Sequence, residues 1–159
     1  MYERHGDCRG CGLKCCTFLA FFAPRGVPAK AWMEAVRSEG ALAMHAADPD
    51  DFIRWLDVHN VPTRSLGDGY VAVGLNTAQR KLLSLQRLNG KAALTIPAKC
   101  KHLLKDGKCG VYGKPERPKV CDDFPMHPDE LIGIRNEPLT EPDASDCGYW
   151  FTKRSQKET

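Results

Sequence analysis

The chain has 159 residues, 42% of them hydrophobic and 27% charged, with a formal net charge of +3 and a mean hydropathy of −0.42. That is the size and composition of one globular unit, so residues 1–159 are read as a single domain. The longest apolar run, residues 18–23, stops at Pro24, far short of the roughly 18 residues a membrane span needs, and a small, mixed charge argues against nucleic acid or membrane as partner.

No apolar run precedes Cys8, so a secretory signal is not expected and the location is read as cytoplasmic. The aromatic stretch Phe18, Phe21 and Phe22 is expected in the core. Pro28 suits the first position of a helix. Trp32, Met33 and Val36 keep helical spacing to about Gly40, and the pattern allows an extension to Met44. Asp48-Pro49-Asp50-Asp51 reads as a helix start: a capping Asp, Pro at the first position, then acids in the first turn. Phe52, Ile53 and Leu56 form its expected buried face, and Asn60 and Pro62 its end.

Gly67-Asp68-Gly69 marks a turn, and the alternation over 70–75 predicts a strand. Residues 77–88 fit a helix or a strand. Asn89-Gly90 is a hairpin signal, followed by alternation at Leu94 and Ile96. The expected sheet is small and antiparallel, built from about 70–75, 82–88 and 91–96. Residues 98–146 are rich in Pro, Gly and charge with little periodicity, and the polar end, 152–159, is expected to fray. The fold class is therefore α+β: N-terminal helices, a small antiparallel sheet, and an irregular region stapled by metal. Structural zinc supplies on the order of 10 kcal/mol to such a region.

The eight cysteines are unevenly placed. Cys8, Cys11, Cys15 and Cys16 form one group, Cys100, Cys109 and Cys121 a second, and Cys147 stands apart. Disulfides fit this pattern poorly without export, and the vicinal pair Cys15-Cys16 cannot easily bridge itself. Metal binding fits better. A Cys-x2-Cys loop gathers two thiolates, with Gly10 and Gly12 letting the backbone curl. Cys15 follows Cys11 at a spacing that could share a helical face. Cys100 and Cys109 flank Lys105-Asp106-Gly107-Lys108, a turn-forming stretch. Basic residues beside the thiols, such as Arg9, Lys14, Lys99 and Lys108, would offset the negative charge of a thiolate site.

Read in order, these residues resemble the YkgJ-like cysteine-cluster family. Its first signature, C-x2-C-x3-C-C, matches Cys8, Cys11, Cys15 and Cys16. Its second block matches Cys100, Leu103, Gly107, Cys109, Val111, Tyr112, Arg117, Pro118, Cys121, Phe124 and Pro125. Asp122 departs from the pattern, since many relatives carry Arg there. The resemblance implies that all eight cysteines, Cys147 included, are metal ligands. It favours an iron–sulfur cluster, such as a [4Fe–4S] centre, slightly over zinc, because the related flagellin lysine methylases look iron–sulfur dependent.

Within this block, Arg117 is expected to hydrogen-bond backbone carbonyls near the cluster, and Pro118 to keep the chain extended before Cys121. Tyr112 and Phe124 are expected to wall the site. His102 is the histidine best placed to replace a cysteine. No Ser/His/Asp arrangement or phosphate loop is recognisable. The expected function is thus metal binding, in a structural, redox or sensing role. The alternatives are an interaction component of a larger assembly stapled by metal, and a metal-dependent enzyme related to the lysine methylases. The segment Gly148-Tyr149-Trp150-Phe151 is expected to pack on its own domain, and if exposed would offer aromatics to a protein partner.

Overall fold

The computed structural model describes residues 2–6, 15–88, 91–123 and 149–154. Among them are four helices and eight strands, all strand pairs antiparallel, as expected for an α+β protein. Helix α1 (Ala29–Glu39) follows Pro28 and ends at Gly40, whose φ of 70° and N–H bond to the Val36 carbonyl form a left-handed cap. Arg80 closes this end by donating to the carbonyls of Arg37 and Ser38, each at 2.9 Å.

The expected extension to Met44 is not formed. Residues Ala41–His45 are strand β3, with Leu42 buried between exposed Ala41 and Ala43. The cap at Gly40 ends helical bonding, and the period-two burial of the next residues suits a sheet.

Helix α2 (Pro49–Val58) starts as expected, with the Asp48 carboxylate accepting the Asp51 N–H at 3.1 Å. Leu56 is fully buried, Val58 is also buried, and Phe52 and Ile53 are half-buried. Strands β4 (Thr63–Gly67) and β5 (Tyr70–Gly74) form a hairpin around Asp68-Gly69. Helix α3 (Thr77–Lys81) opens with a reciprocal capping box between Asn76 and Gln79. Strands β6 (Ser84–Leu88) and β7 (Lys91–Pro97) form the next hairpin, with Leu88 facing Lys91; Asn89 and Gly90 lie outside the described residues.

The strand over 70–74 does not join this second hairpin, contrary to expectation. Strand β5 lies between β3 and β4 in one three-stranded sheet. Strand β7 lies between β6 and β2 (Phe18–Phe22) in another. The capped turn of α3 breaks the chain between β5 and β6. One core serves both sheets: Leu19 and Phe21 from β2, Leu94 and Ile96 from β7, Leu42 and Val73 from the other sheet, and Trp32, Val36 and Leu56 from the helices.

A two-stranded ribbon pairs β1 (Tyr2–Gly6) with β8 (Tyr149–Lys153). Within β8, Phe151 packs on its own chain and is 1% exposed. Thr152 and Lys153 belong to this strand and are not frayed. Residues 155–159 lie outside the described residues. No helix among the described residues is long and apolar enough to cross a membrane.

Candidate metal centre

The central ladder brings Cys16 of the first group beside Cys100 of the second. Strand β2 pairs with β7 from Phe22↔Ala93 to Phe18↔Pro97. The bonding continues past both strands, with the Ala98 N–H on the Thr17 carbonyl at 3.0 Å and the Cys100 N–H on the Cys16 carbonyl at 2.8 Å. Burial of Leu19 and Phe21 against Leu94 and Ile96 sets this register, because a one-residue slip would turn those side chains to solvent. Cys16 itself sits in a single 3-10 turn, Cys15–Thr17, just before β2.

Cys100 and Cys109 are brought together by a tight reversal. Leu103 bridges Cys109 in antiparallel fashion. The Leu104 N–H bonds the Lys108 carbonyl at 2.8 Å, and the Gly110 N–H bonds the His102 carbonyl at 2.7 Å. Gly107 has a φ of 84°, a conformation that suits glycine. The Asp106 carboxylate holds the turn by accepting the Lys108 N–H at 3.0 Å.

The Cys100 sulfur accepts the His102 N–H at 3.4 Å. Burial raises the Cys100 thiol pKa, the amides of His102 and Leu103 oppose the rise, and the neighbouring Cys109 thiol adds to it. Amides aimed at this half-buried sulfur favour the thiolate form and so oppose the rise that burial imposes. His102 thus contributes its backbone to the site.

Cys121 lies on α4 (Lys119–Asp123), and Pro118 is buried immediately before it. The chain here is helical and not extended, because Pro118 occupies a helix start, where its missing N–H is harmless. Arg117 does hydrogen-bond a backbone carbonyl within the second cysteine block. Its guanidinium donates to the Cys121 carbonyl at 3.0 Å, pairs with the Asp122 carboxylate, and stacks 4.8 Å from the centre of the Tyr112 ring. Its side chain is only 5% exposed. Asp122, the departure from the family pattern, is therefore this arginine's ionic partner. Arg4 of β1 also reaches the Asp122 carbonyl, at 2.9 Å.

Of the predicted ligands, Cys16, Cys100, Cys109 and Cys121 are described, and all four are half-buried. Cys8, Cys11 and Cys147 lie outside the described residues, as do the side chain of Cys15 and the expected wall residue Phe124. Among the described residues, no three His, Cys, Asp or Glu side chains form a metal-holding group. Soft sulfur donors such as these cysteines are of the type that suits a thiophilic metal. An open cavity of about 350 Å³ is lined in part by Thr17, Lys99, Leu103 and Lys105.

Two residues escaped the sequence reading. His59 caps the C-terminal end of α2 and is buried there, 4% exposed. It shares a hydrogen bond of 2.7 Å between Nδ1 and the Trp55 carbonyl, and its Nε2 is buried with no partner among the described residues. Desolvation lowers its pKa, partly offset by that carbonyl. The Lys101 N–H bonds the Val58 carbonyl at 2.7 Å, so the peptide link leading into His59 touches the one leaving Cys100. The second residue is Asp51, whose carboxylate accepts the N–H groups of Lys119 at 2.7 Å and Val120 at 3.0 Å. A helix pattern reveals the cap at Asp48 but not a contact made this far along the chain.

Fold and site together define a cysteine-rich α+β protein whose donor set is compatible with metal binding. Part of the chain is similar to a UPF0153 protein of Vibrio cholerae serotype O1 (strain ATCC 39315 / El Tor Inaba N16961), with 48% identity over 40 residues. The match covers 25% of this chain and 45% of that relative, so it spans a little under half the relative's length. No family model matches the chain, and no solved structure matches it.

Proposed function

We propose that the chain is a metal-binding protein whose cysteine cluster holds an iron–sulfur centre in a structural, redox or sensing role. The observation that carries this reading is the Cys16–Cys100 backbone bond, which sets one cysteine of each group side by side at the end of a buried ladder. The partial similarity to the UPF0153 protein and the eight cysteines support a relationship to cysteine-cluster proteins. An iron–sulfur centre supplies one-electron chemistry or structural cross-linking. This chain's own residues orient the sulfurs, direct amides at Cys100 and exclude water around Arg117 and Tyr112. A reducing compartment such as the cytoplasm keeps these thiols available.

Anaerobic purification with elemental analysis and absorption spectroscopy tests the proposal. Bound iron and sulfide with a broad band at about 400 nm support it. Stoichiometric zinc in a colourless protein replaces iron–sulfur with a structural staple. Absence of both metals overturns metal binding altogether.

A further inference from the structure

Asp51 occupies the third position of α2, where an acidic side chain ordinarily reaches back to its own helix cap. Here it reaches across the fold. Its Oδ1 accepts the Lys119 N–H at 2.7 Å and its Oδ2 the Val120 N–H at 3.0 Å. Those amides open α4, a helix of five residues that carries Cys121. So short a helix has little stability of its own. It is held at its start by Asp51 and farther along by Arg117, which grips the Cys121 carbonyl. The negative carboxylate also suits the positive ends of both helices.

We propose that Asp51 is a positioning residue of the metal centre, fixing the helix that presents Cys121. This rests on the metal-binding reading above, in which Cys121 is a ligand. Asp51 belongs to the same helix as the C-terminal cap His59, so α2 touches the cysteine region at both ends: through Asp51 on α4, and through the Val58 carbonyl on Lys101. The middle of the chain then acts as the frame that sets the geometry of the second cysteine block.

The experiment uses the protein and four variants: Asp51→Ala, Asp51→Asn, Asp50→Ala and Cys121→Ser, together with the Asp51→Ala/Cys121→Ser double variant. Metal release to a chromophoric chelator is timed for each. Asp51→Ala is expected to release metal about tenfold faster than the unmodified protein, in line with other residues that orient metal ligands. Asp51→Asn, which keeps an acceptor oxygen, should fall between the two. In the Cys121→Ser background, Asp51→Ala should add nothing. Unchanged release in Asp51→Ala, or effects of the two substitutions that multiply, would overturn the proposal.

Alkylation by iodoacetamide, mapped by peptide mass, supplies a second readout in metal-free protein. Asp51→Ala should accelerate labelling of Cys121 relative to Cys109. Asp50→Ala removes the other acid from the first turn of α2, weakens that helix start without touching Asp51's bonds to α4, and should leave that ratio unchanged. Equal responses to the two variants would assign Asp51 to the general stability of α2 and overturn the proposal. Should the unmodified protein hold no metal, the metal-binding reading fails, and the labelling ratio still decides whether Asp51 positions Cys121.

Discussion

The backbone N–H of Cys100 donates to the carbonyl of Cys16 at 2.8 Å, extending the β2–β7 ladder beyond its last strand pair. The packing that holds the ladder therefore holds Cys16 of the first group against Cys100 of the second. Phe21 faces Leu94 in the register, and both are buried. Leu94→Ala should cost about 2–5 kcal/mol of stability and weaken metal retention together with it. Urea denaturation followed beside metal content checks the coupling; a stability loss without faster metal loss would uncouple the ladder from the site.

Arg117 places one guanidinium on the Cys121 carbonyl, the Asp122 carboxylate and the Tyr112 ring. Lysine keeps the charge but not the planar fork. Arg117→Lys should lose about 2 kcal/mol, the order of a hydrogen bond to a charged group, as read from the urea midpoint. A midpoint equal to that of the unmodified protein would mean that the fork is dispensable.

Gly107 adopts a φ of 84° in the turn between Cys100 and Cys109. A side chain there adopts a disfavoured backbone conformation. Gly107→Ala should destabilise the protein by about 1–2 kcal/mol, whereas Lys105→Ala, in the same turn, should be nearly silent. Thermal melts of the two variants make the comparison.

Burial lowers the pKa of His59, so the folded state prefers the neutral ring more than the unfolded chain does. As pH falls through the ordinary histidine range near about 6.5, the unfolded state takes up a proton first. The contribution of His59 is therefore present above that range and is lost as pH drops through the lowered folded value. Urea titrations between neutral and mildly acidic pH should show a steeper loss for the unmodified protein than for His59→Phe. Parallel curves would remove His59 from the pH response.

Much of the fold was legible from local signals. Pro28, Asp48 with Pro49, and Gly67-Asp68-Gly69 mark element boundaries through backbone chemistry that acts within a few residues. The alternation around Leu94 likewise identifies β7. Sheet membership was not legible, because the period that identifies β5 does not say which edge it joins. Residues 41–45 misled for a related reason: Leu42 and Met44 suit a helix face or a strand face until Gly40 breaks the helix. At the site, the turn before Cys109 followed from its Asp-Gly residues, and the bond of Arg117 to a backbone carbonyl from the block that carries the resemblance and from its planar fork. Asp51 did not, because its partners Lys119 and Val120 are brought to it only by the tertiary fold. Nor did the burial of His59, which depends on what packs over the end of α2.

The central claim is that cysteines from both groups hold one metal-bearing unit. Its most direct test is the metal content of anaerobically purified protein beside its Cys11→Ser and Cys109→Ser variants. The account predicts stoichiometric metal in the unmodified protein, and loss of metal and of solubility in each variant. Metal absent from the unmodified protein, or retained in full by both variants, would contradict it.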